Sequence, residues 1–219
     1  NTKAYAEAAG YKYVDKAVVA SGAFGESGSN ITYALFANGS DADGTTYRLV
    51  VSGSGKTKYC DWNGASQPFR PYSRQITELV IDEGITSTST GSFAGLAKLK
   101  TVSFPSTLTT LAANTFLGSF DPSVTEFTIP ATVTTLGPYH VFGKFDVHDD
   151  GVTGADITTF HIENPDVVYS TASDGTLSER IFTNSNPGNV TLIVEADGQN
   201  NNTKAYAEAA GYKYVDKAV

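Results

Sequence analysis

A dense group of acidic side chains between residues 146 and 156 is the first candidate for chemistry in this chain. It contains Asp146, His148, Asp149, Asp150 and Asp156. Calcium takes six to eight oxygen ligands, which a loop of this kind can supply. Neither this loop nor the shorter SDADG stretch completes the spacing of an EF-hand, and no glutamate stands at its twelfth position. Asp and Gly also form turns together without a metal, so both explanations stay open, and no metal site is predicted.

Nucleophilic catalysis has little support in the sequence. Cys60 is the only cysteine, the three histidines are His140, His148 and His161, and no GxSxG motif occurs. A lone cysteine can neither form an internal disulfide nor complete a zinc site. Paired carboxylates for glycoside hydrolysis would need a cleft and a close approach that the sequence does not fix. We therefore predict no enzymatic activity and no cofactor, and we expect the cysteine to be a packed or exposed thiol.

A surface of outward-facing strand residues is a stronger candidate for a functional site. Side chains alternate in and out along a strand, so every second residue of stacked strands forms a ladder across a sheet. The two predicted ladders are rich in hydroxyl and carboxylate groups, which suit sugars or basic peptides. A solvated face would have the same composition, because Thr favours strands in any case. The residues predicted to contact a ligand are Glu78, Val80, Thr101, Ser103, Glu126, Thr128, Thr159 and His161, and Thr191 and Ile193 continue the ladders.

These ladders depend on an internal repeat between residues 76 and 142. Self-similarity with a period of roughly 20–30 residues is typical of solenoids, in which each unit buries its face against its neighbours. Two further units are expected after residue 157, where Phe160 and Ile162, and then Leu192 and Val194, resume the inward pattern. The aligned inward columns are Leu79, Val102 and Phe127; Ile81, Phe104 and Ile129; Ile85, Leu108 and Val133; and Phe93, Phe116 and Phe142.

The segment before the repeats has a different character. Residues 31–37 and 46–52 are rich in β-branched and aromatic residues, and the turn-forming stretch between them predicts a hairpin with a long loop. A first unit lacks a neighbour to cover its apolar edge, so this region is expected to cover it. The aromatic residues expected to close that end are Tyr59, Trp62, Phe69 and Tyr72.

The two ends of the chain are identical over residues 1–18 and 202–219. This identity indicates either tandem modules or a joined copy of one segment. The second copy predicts a short helix that is N-capped by Asn202 and ends at Gly211, followed by a strand. The residues of that copy expected to be buried are Tyr206, Tyr212, Tyr214 and Val215.

Composition limits the partners. The formal net charge is −8, which disfavours phosphate backbones and anionic lipid surfaces as ligands. No apolar run of about 18 residues occurs, so no transmembrane helix is expected. Methionine is absent, also from position 1, which suggests that the chain is a piece of a longer product.

The segments TVSFPSTLTTLAANTF and TEFTIPATVTTL closely resemble the repeats of BspA-like leucine-rich repeat proteins of bacterial cell surfaces. The AYAEAAGYKYV segments resemble the helix and strand that end such arrays, and the region around TYALFANGS resembles the hairpin module that often precedes them. The resemblance implies a mostly β solenoid, an extracellular location and a role in adhesion or host contact. It implies no catalytic residues.

The sequence therefore predicts a mainly β protein, a leucine-rich repeat solenoid of about five turns with an N-terminal β-hairpin cap and a C-terminal helix–strand cap. The expected function is recognition of an extracellular protein or glycan at the bacterial cell surface, with end-to-end contact between neighbouring modules. A structural spacer is the alternative, and a glycan-active enzyme is disfavoured. The predicted divisions are a copy of the cap segment from a preceding module (1–18), a β-rich N-terminal cap (19–75), the solenoid (76–201) and the C-terminal cap (202–219).

Overall fold

The computed structural model describes residues 17–178, 180–183, 185–195 and 201–217. Within these residues the protein is mainly β, with short strands separated by turns. The same residues include one α-helix, α1 (Asn202–Ala210), and two 3-10 helices, Arg70–Gln75 and Pro187–Asn189. In chain order the strands are β1 (Val18–Ala23), β2 (Thr32–Asp41), β3 (Gly44–Ser52), β4 (Gly55–Lys56), β5 (Ile76–Ile81), β6 (Ile85–Ser87), β7 (Thr101–Ser103), β8 (Thr110–Leu111), β9 (Glu126–Ile129), β10 (Thr135–Leu136), β11 (Thr159–Ile162), β12 (Val168–Tyr169), β13 (Thr191–Val194) and β14 (Lys213–Asp216).

An antiparallel meander of β1, β2 and β3 opens the described chain. Only Ala42 and Asp43 connect β2 to β3, with Asp41 opposite Gly44, so the predicted long loop was wrong. The Asp43 N–H donates to Asp41 Oδ1 at 2.9 Å. Gly44 has φ +115°, a conformation that glycine adopts without strain. Most of the turn-forming stretch therefore belongs to the two strands, and a two-residue turn connects them.

From β3 onward, neighbouring strands run parallel. The described strands form three sheets. Their orders are β1-β2-β3-β5-β7, β4-β6-β8-β10-β12 and β9-β11-β13-β14. Phe160 of β11 lies opposite Phe127 of β9 on one side and Leu192 of β13 on the other. This register is the one that the sequence columns predict, so the mainly β class and the parallel stacking of the repeats are confirmed.

The inward columns form a continuous core. Ile85, Leu108 and Val133 are fully buried, as are Phe93 and Phe116. Phe160, Ile162, Leu192 and Val194 are buried as well, which confirms the inward pairs expected after residue 157.

A third set of backbone hydrogen bonds joins the turns that follow β6, β8 and β10. The Phe93 N–H donates to the Thr115 carbonyl at 3.0 Å, and the Phe116 N–H donates to the Val141 carbonyl at 2.8 Å. Each bond joins one repeat to the next, so these turns are held in register although they are not strands. They form the side of the protein that we call the turn side.

Two of the four aromatic residues expected to close the first repeat do so. Phe69 is fully buried and contacts Phe24 and Phe93, with ring centroids 5.0 and 6.5 Å apart. Tyr72 packs edge-on against Tyr47 at 5.4 Å. The predicted role in closing the first repeat was wrong for Tyr59 and Trp62, which are 57% and 50% exposed.

The exposure of Tyr59 and Trp62 has a simple cause. Cys60 lies between them and takes the buried position in this extended stretch, with no exposed surface. Tyr59, the adjacent residue, therefore faces outward. Asp61 has φ +60°, so the extended stretch ends before Trp62, which lies in a turn. Trp62 instead contacts Phe145 of the loop between β10 and β11, edge-on at 5.6 Å.

The C-terminal helix begins one residue earlier than expected. Its N-cap is Asn201 rather than Asn202, because Asn201 Oδ1 accepts a hydrogen bond from the Lys204 N–H at 3.1 Å. The helix ends at Gly211 in the left-handed conformation (φ +79°), as predicted.

β14 continues the third sheet beside β13, with Ile193 opposite Val215. Tyr206 and Tyr212 are buried as predicted. Val215 is 42% exposed, so its predicted burial was wrong: its partner Ile193 belongs to the outward ladder, and a residue in the same register shares that orientation. The corresponding N-terminal copy lies outside the described residues up to position 16.

Candidate ligand-recognition face

All eight residues predicted to contact a ligand have outward-facing side chains. Glu78 pairs with Thr101 and Val80 with Ser103 across β5 and β7. Beyond them, β9, β11 and β13 align Glu126 with Thr159 and Thr191, and Thr128 with His161 and Ile193. The members on β7 and β9 are exposed, and those on β5 and β11 are half-buried.

The ladders are interrupted between β7 and β9, which the sequence analysis did not predict. Among the described residues, β7 pairs with β5 alone and β9 with β11 alone. No backbone pairing joins β7 to β9 among these residues. The second sheet continues across the same two repeats, since β8 pairs with both β6 and β10. The repeats therefore open on one side only.

An insertion explains the opening. Seven residues separate Phe93 from Thr101, whereas nine separate Phe116 from Glu126. The chain keeps its register up to Asp121, whose N–H donates to the Leu99 carbonyl at 2.8 Å. Next comes a turn in which Asp121 Oδ1 accepts a hydrogen bond from the Ser123 N–H at 3.0 Å. This turn places β9 away from β7.

The backbone of both strands presents polar groups to the opening. On β7, the neighbouring Lys100 N–H donates to the Thr77 carbonyl at 2.9 Å, so Lys100 faces β5. Consecutive residues of a parallel strand direct their N–H and C=O groups to opposite neighbours. Thr101 and Ser103 therefore direct theirs into the opening.

The same rule applies to β9. The Glu163 N–H donates to the Ile129 carbonyl at 3.1 Å, so Ile129 faces the β11 side. Glu126 and Thr128 then direct their backbone groups toward β7. Four of the eight predicted residues thus offer main-chain donors and acceptors as well as side chains.

The opening is a cleft of about 400 Å³ with an aromatic floor. Phe104 and Phe127 meet there edge-on, with ring centroids 6.0 Å apart. These rings and Val102 are only partly buried, because the strand that would cover them is displaced. The residues lining the cleft are Lys100, Thr101, Val102, Phe104, Val124, Glu126, Phe127, Thr128 and His161.

The charged members of the ladders are already paired within the protein. Arg48 Nε lies 2.7 Å from Glu78. His161 lies between two carboxylates, with Nδ1 2.6 Å from Glu195 and Nε2 3.6 Å from Glu126. The hydrogen bond from His161, followed by one from Lys217, lowers the pKa of Glu195. The unpaired hydrogen-bonding capacity of this face therefore lies in its hydroxyls and in the backbone of the cleft.

The acidic loop uses its carboxylates for its own conformation. Asp146 accepts hydrogen bonds from the backbone of His148 at 3.1 Å and of Gly151 at 2.5 Å. Burial acts in the opposite direction, but these N–H groups lower the pKa of Asp146. Arg74 pairs with Asp150 through two side-chain hydrogen bonds. Within the described ranges, no three His, Cys, Asp or Glu side chains are grouped as a metal site.

The other candidates for chemistry are separated in space. Asp41 and Asp43 both pair with Lys98, at 2.7 and 2.5 Å. Burial raises the pKa of the Cys60 thiol to about 11, so this cysteine is protonated at neutral pH.

In the part of the chain that the structure describes, no helix is long and apolar enough to cross a bilayer.

The comparisons with known proteins concern the repeats. The BspA type leucine-rich repeat region matches residues 67–146 in six copies. A leucine-rich repeat protein from Eubacterium ventriosum ATCC 27560 aligns with 19% identity over 76% of this chain and 45% of its own, with a TM-score of 0.46. The pneumococcal vaccine antigen PcpA aligns with 19% identity over 66% of this chain and 36% of its own, with a TM-score of 0.39.

The chain thus spans less than half the length of either solved protein. No curated protein matches it. The family match falls on the segment whose apolar columns predicted the repeats. Residues 67–146 of this chain therefore form a BspA-type leucine-rich repeat region.

Proposed function

We propose that this chain is a non-catalytic module of an exported bacterial surface protein, and that it binds an extended segment of an extracellular partner protein in the cleft between β7 and β9. The observation that supports the proposal is the interruption of one sheet while the opposite sheet continues. On this view, the repeats form one five-turn solenoid, closed by the β1–β3 meander at one end and by α1 and β14 at the other.

The cleft suits an added strand. An added strand would pair with β7 on one side and with β9 on the other, and among the described residues neither strand has a partner on the cleft side. The backbone groups of Thr101 and Ser103 on one side, and of Glu126 and Thr128 on the other, would pair with it. Main-chain hydrogen bonds of this kind give affinity, and pockets for alternate side chains give specificity.

The floor of the cleft favours a segment with apolar residues at every second position. Phe104 and Phe127 present partly exposed ring surface, which an inward-pointing apolar side chain would cover. On the outer side, the hydroxyls of Thr101 and Thr128 would contact polar side chains. The partner segment is therefore amphipathic, with the alternation of an ordinary strand.

A spacer role is the second candidate. The identity of residues 1–18 and 202–219 is what a series of like modules would produce, and a spacer needs no binding site. The two functions differ in one measurable property, because a spacer has no saturable affinity for extended peptides.

Selection of a display library of random ten-residue peptides on the purified chain tests the proposal. We expect peptides with alternating apolar residues, whose binding is lost in Ser103→Pro. This change removes an N–H that points into the cleft but none that bonds to β5, so the melting temperature should change by only a few degrees. Thr32→Ala, at an exposed position of β2 outside the ladders and the cleft, is the control and should bind normally. Failure to select any peptide, or equal binding by Ser103→Pro, would contradict the proposal.

A further inference from the structure

A second cavity lies on the turn side of the repeats and shares no lining residue with the cleft. Its volume is about 470 Å³, within the range of small-molecule sites. Three aromatic residues border it: Trp62, and Tyr139 and Phe145 of the loop between β10 and β11, which are 50%, 43% and 39% exposed. Exposed aromatic rings that converge on one cavity offer flat apolar surfaces to a ligand.

Strained backbone builds the edge of this cavity. Tyr139 and His140 are consecutive, and both have positive φ, +61° and +39°. Non-glycine residues rarely adopt this conformation, and it costs free energy. Three hydrogen bonds hold it: the Tyr139 N–H donates to Ser178 Oγ at 3.0 Å, and the His140 N–H donates to the Arg180 carbonyl at 2.9 Å. The Asn114 N–H donates to the Tyr139 carbonyl at 3.0 Å.

The strain has a consequence for the side chains. It places the Tyr139 ring beside the cavity, where it stays partly exposed. Asn114, which also lines the cavity, has φ +55°. The position two residues before Phe93, Phe116 and Phe142 has positive φ in all three repeats, at Gly91, Asn114 and His140, so this conformation belongs to the turns of the repeats. The core of the repeats gains nothing from exposing Tyr139.

Polar groups of both hydrogen-bonding types meet the aromatic rings. The Asn114 amide can donate and accept, and the Arg180 guanidinium donates. Burial, and then the nearby charge of Arg180, lower the pKa of His140, so its ring is neutral at physiological pH. His140 lines the cavity as well, and its Nδ1 is buried without a hydrogen-bond partner among the described residues.

Arg180 sets the sign of charge at this cavity. Of the described residues that line it, Arg180 alone is charged at neutral pH. The chain as a whole has a net charge of −8, so a cation beside exposed aromatic rings stands out against the general surface. Guanidinium groups bind carboxylates through two parallel hydrogen bonds.

We propose that this cavity binds a saccharide that carries a carboxylate, such as a uronic acid unit. The apolar face of a pyranose ring would lie against Tyr139 and Trp62, its hydroxyls would pair with Asn114 and His140, and its carboxylate would pair with Arg180. A quaternary ammonium ligand suits aromatic rings too, but Arg180 would repel it. An apolar peptide would leave the polar groups unpaired. This proposal stands independently of strand binding in the cleft.

Trp62 allows a direct test, because it is the only tryptophan of the chain. Its fluorescence should change saturably on titration with a galacturonic acid tetrasaccharide in 0.15 M salt, which screens the net charge of the protein. Neutral cellotetraose should bind at least tenfold more weakly. Choline chloride should produce no saturable change.

Three variants test whether the saccharide that changes the Trp62 fluorescence binds in this cavity. Tyr139→Ala should weaken binding at least tenfold, whereas Tyr59→Ala, which removes an exposed ring outside the cavity, should not. Arg180→Gln lies at an exposed position and should fold normally; it should reduce the affinity for the acidic tetrasaccharide to that for cellotetraose. The proposal is overturned if no saccharide changes the fluorescence, if cellotetraose binds as tightly as the acidic sugar, or if Tyr139→Ala and Tyr59→Ala behave alike.

Discussion

Phe116 stacks on Phe142 of the next repeat, with ring centroids 5.6 Å apart and ring planes inclined by 17°. The same arrangement links Phe93 to Phe116 at 5.8 Å and Phe142 to Phe182 at 6.1 Å. Phe69 joins the other end through Phe93 at 6.5 Å. A stack of parallel rings thus runs through the repeats, and each inner ring is covered on both faces by its neighbours.

This stack predicts a large cost for removing one of its inner rings. Phe116→Ala should lower the free energy of unfolding by about 3–5 kcal/mol, the usual scale for a buried phenylalanine. Thr128→Ala, on the exposed outward ladder, should cost less than about 1 kcal/mol. Denaturant melts of both variants measure the difference. Equal losses would mean that the assignment of the inward columns and outward ladders is wrong by one residue.

The ends of the phenylalanine stack show what the sequence pattern could reveal. Phe93, Phe116 and Phe142 were found because they close segments of similar length. Phe182 has the same role, but the long loop before it removes the regular spacing. Phe69 precedes the first recognisable repeat, so no period points to it. Columns of apolar residues predict a core only where the period is kept.

The cleft between β7 and β9 is a feature that the apolar columns could not predict. The apolar columns align Val102 with Phe127, and a two-residue insertion between Phe116 and Glu126 does not disturb that alignment. Whether such an insertion bulges out or separates the strands depends on the turn that Asp121 and Ser123 form and on the backbone bonds around it. The sequence therefore predicted which residues face outward, but not that the sheet opens between them.

Calcium should have little effect on stability. Asp146 already accepts hydrogen bonds from its own loop, and Asp150 pairs with Arg74, so neither carboxylate is free for a cation. Thermal melts in calcium and in a chelator should superimpose within a few degrees. A large rise of the melting temperature with calcium would show that the loop binds the ion in the folded state, because a ligand that binds only that state stabilises it.

The ion pairs of Lys98 predict an acid-dependent contribution to stability. The hydrogen bond from Lys98, helped by the Asp43 N–H, lowers the pKa of Asp41 below its ordinary value of 3.8. The pKa is lower in the folded state, so this contribution is present above about pH 4 and is lost as the pH falls through the folded value. Lys98→Ala should raise the pKa of Asp41 in a carboxyl NMR titration. Asp174, whose pKa is lowered by Thr176 instead, is the internal control and should not change.

The two copies of the terminal segment should differ sharply in their importance. Tyr206 of the second copy stacks on Tyr169 with ring centroids 4.0 Å apart and donates a hydrogen bond to the Ser178 carbonyl at 2.8 Å. β14 also pairs with β13 along its length. Deleting residues 202–219 would therefore expose the last repeat, and we expect a much lower melting temperature and binding of an apolar dye.

Deleting residues 1–17 should change the melting temperature little. The deletion leaves β1 intact, since that strand begins at Val18 and pairs with β2 through Ala23. Val18 and Val19 are 51% and 44% exposed, so the start of β1 adds little buried surface. Circular dichroism melts of the two truncated chains compare them directly. Equal losses would show that the N-terminal copy is an integral part of the first cap and does not belong to a preceding module.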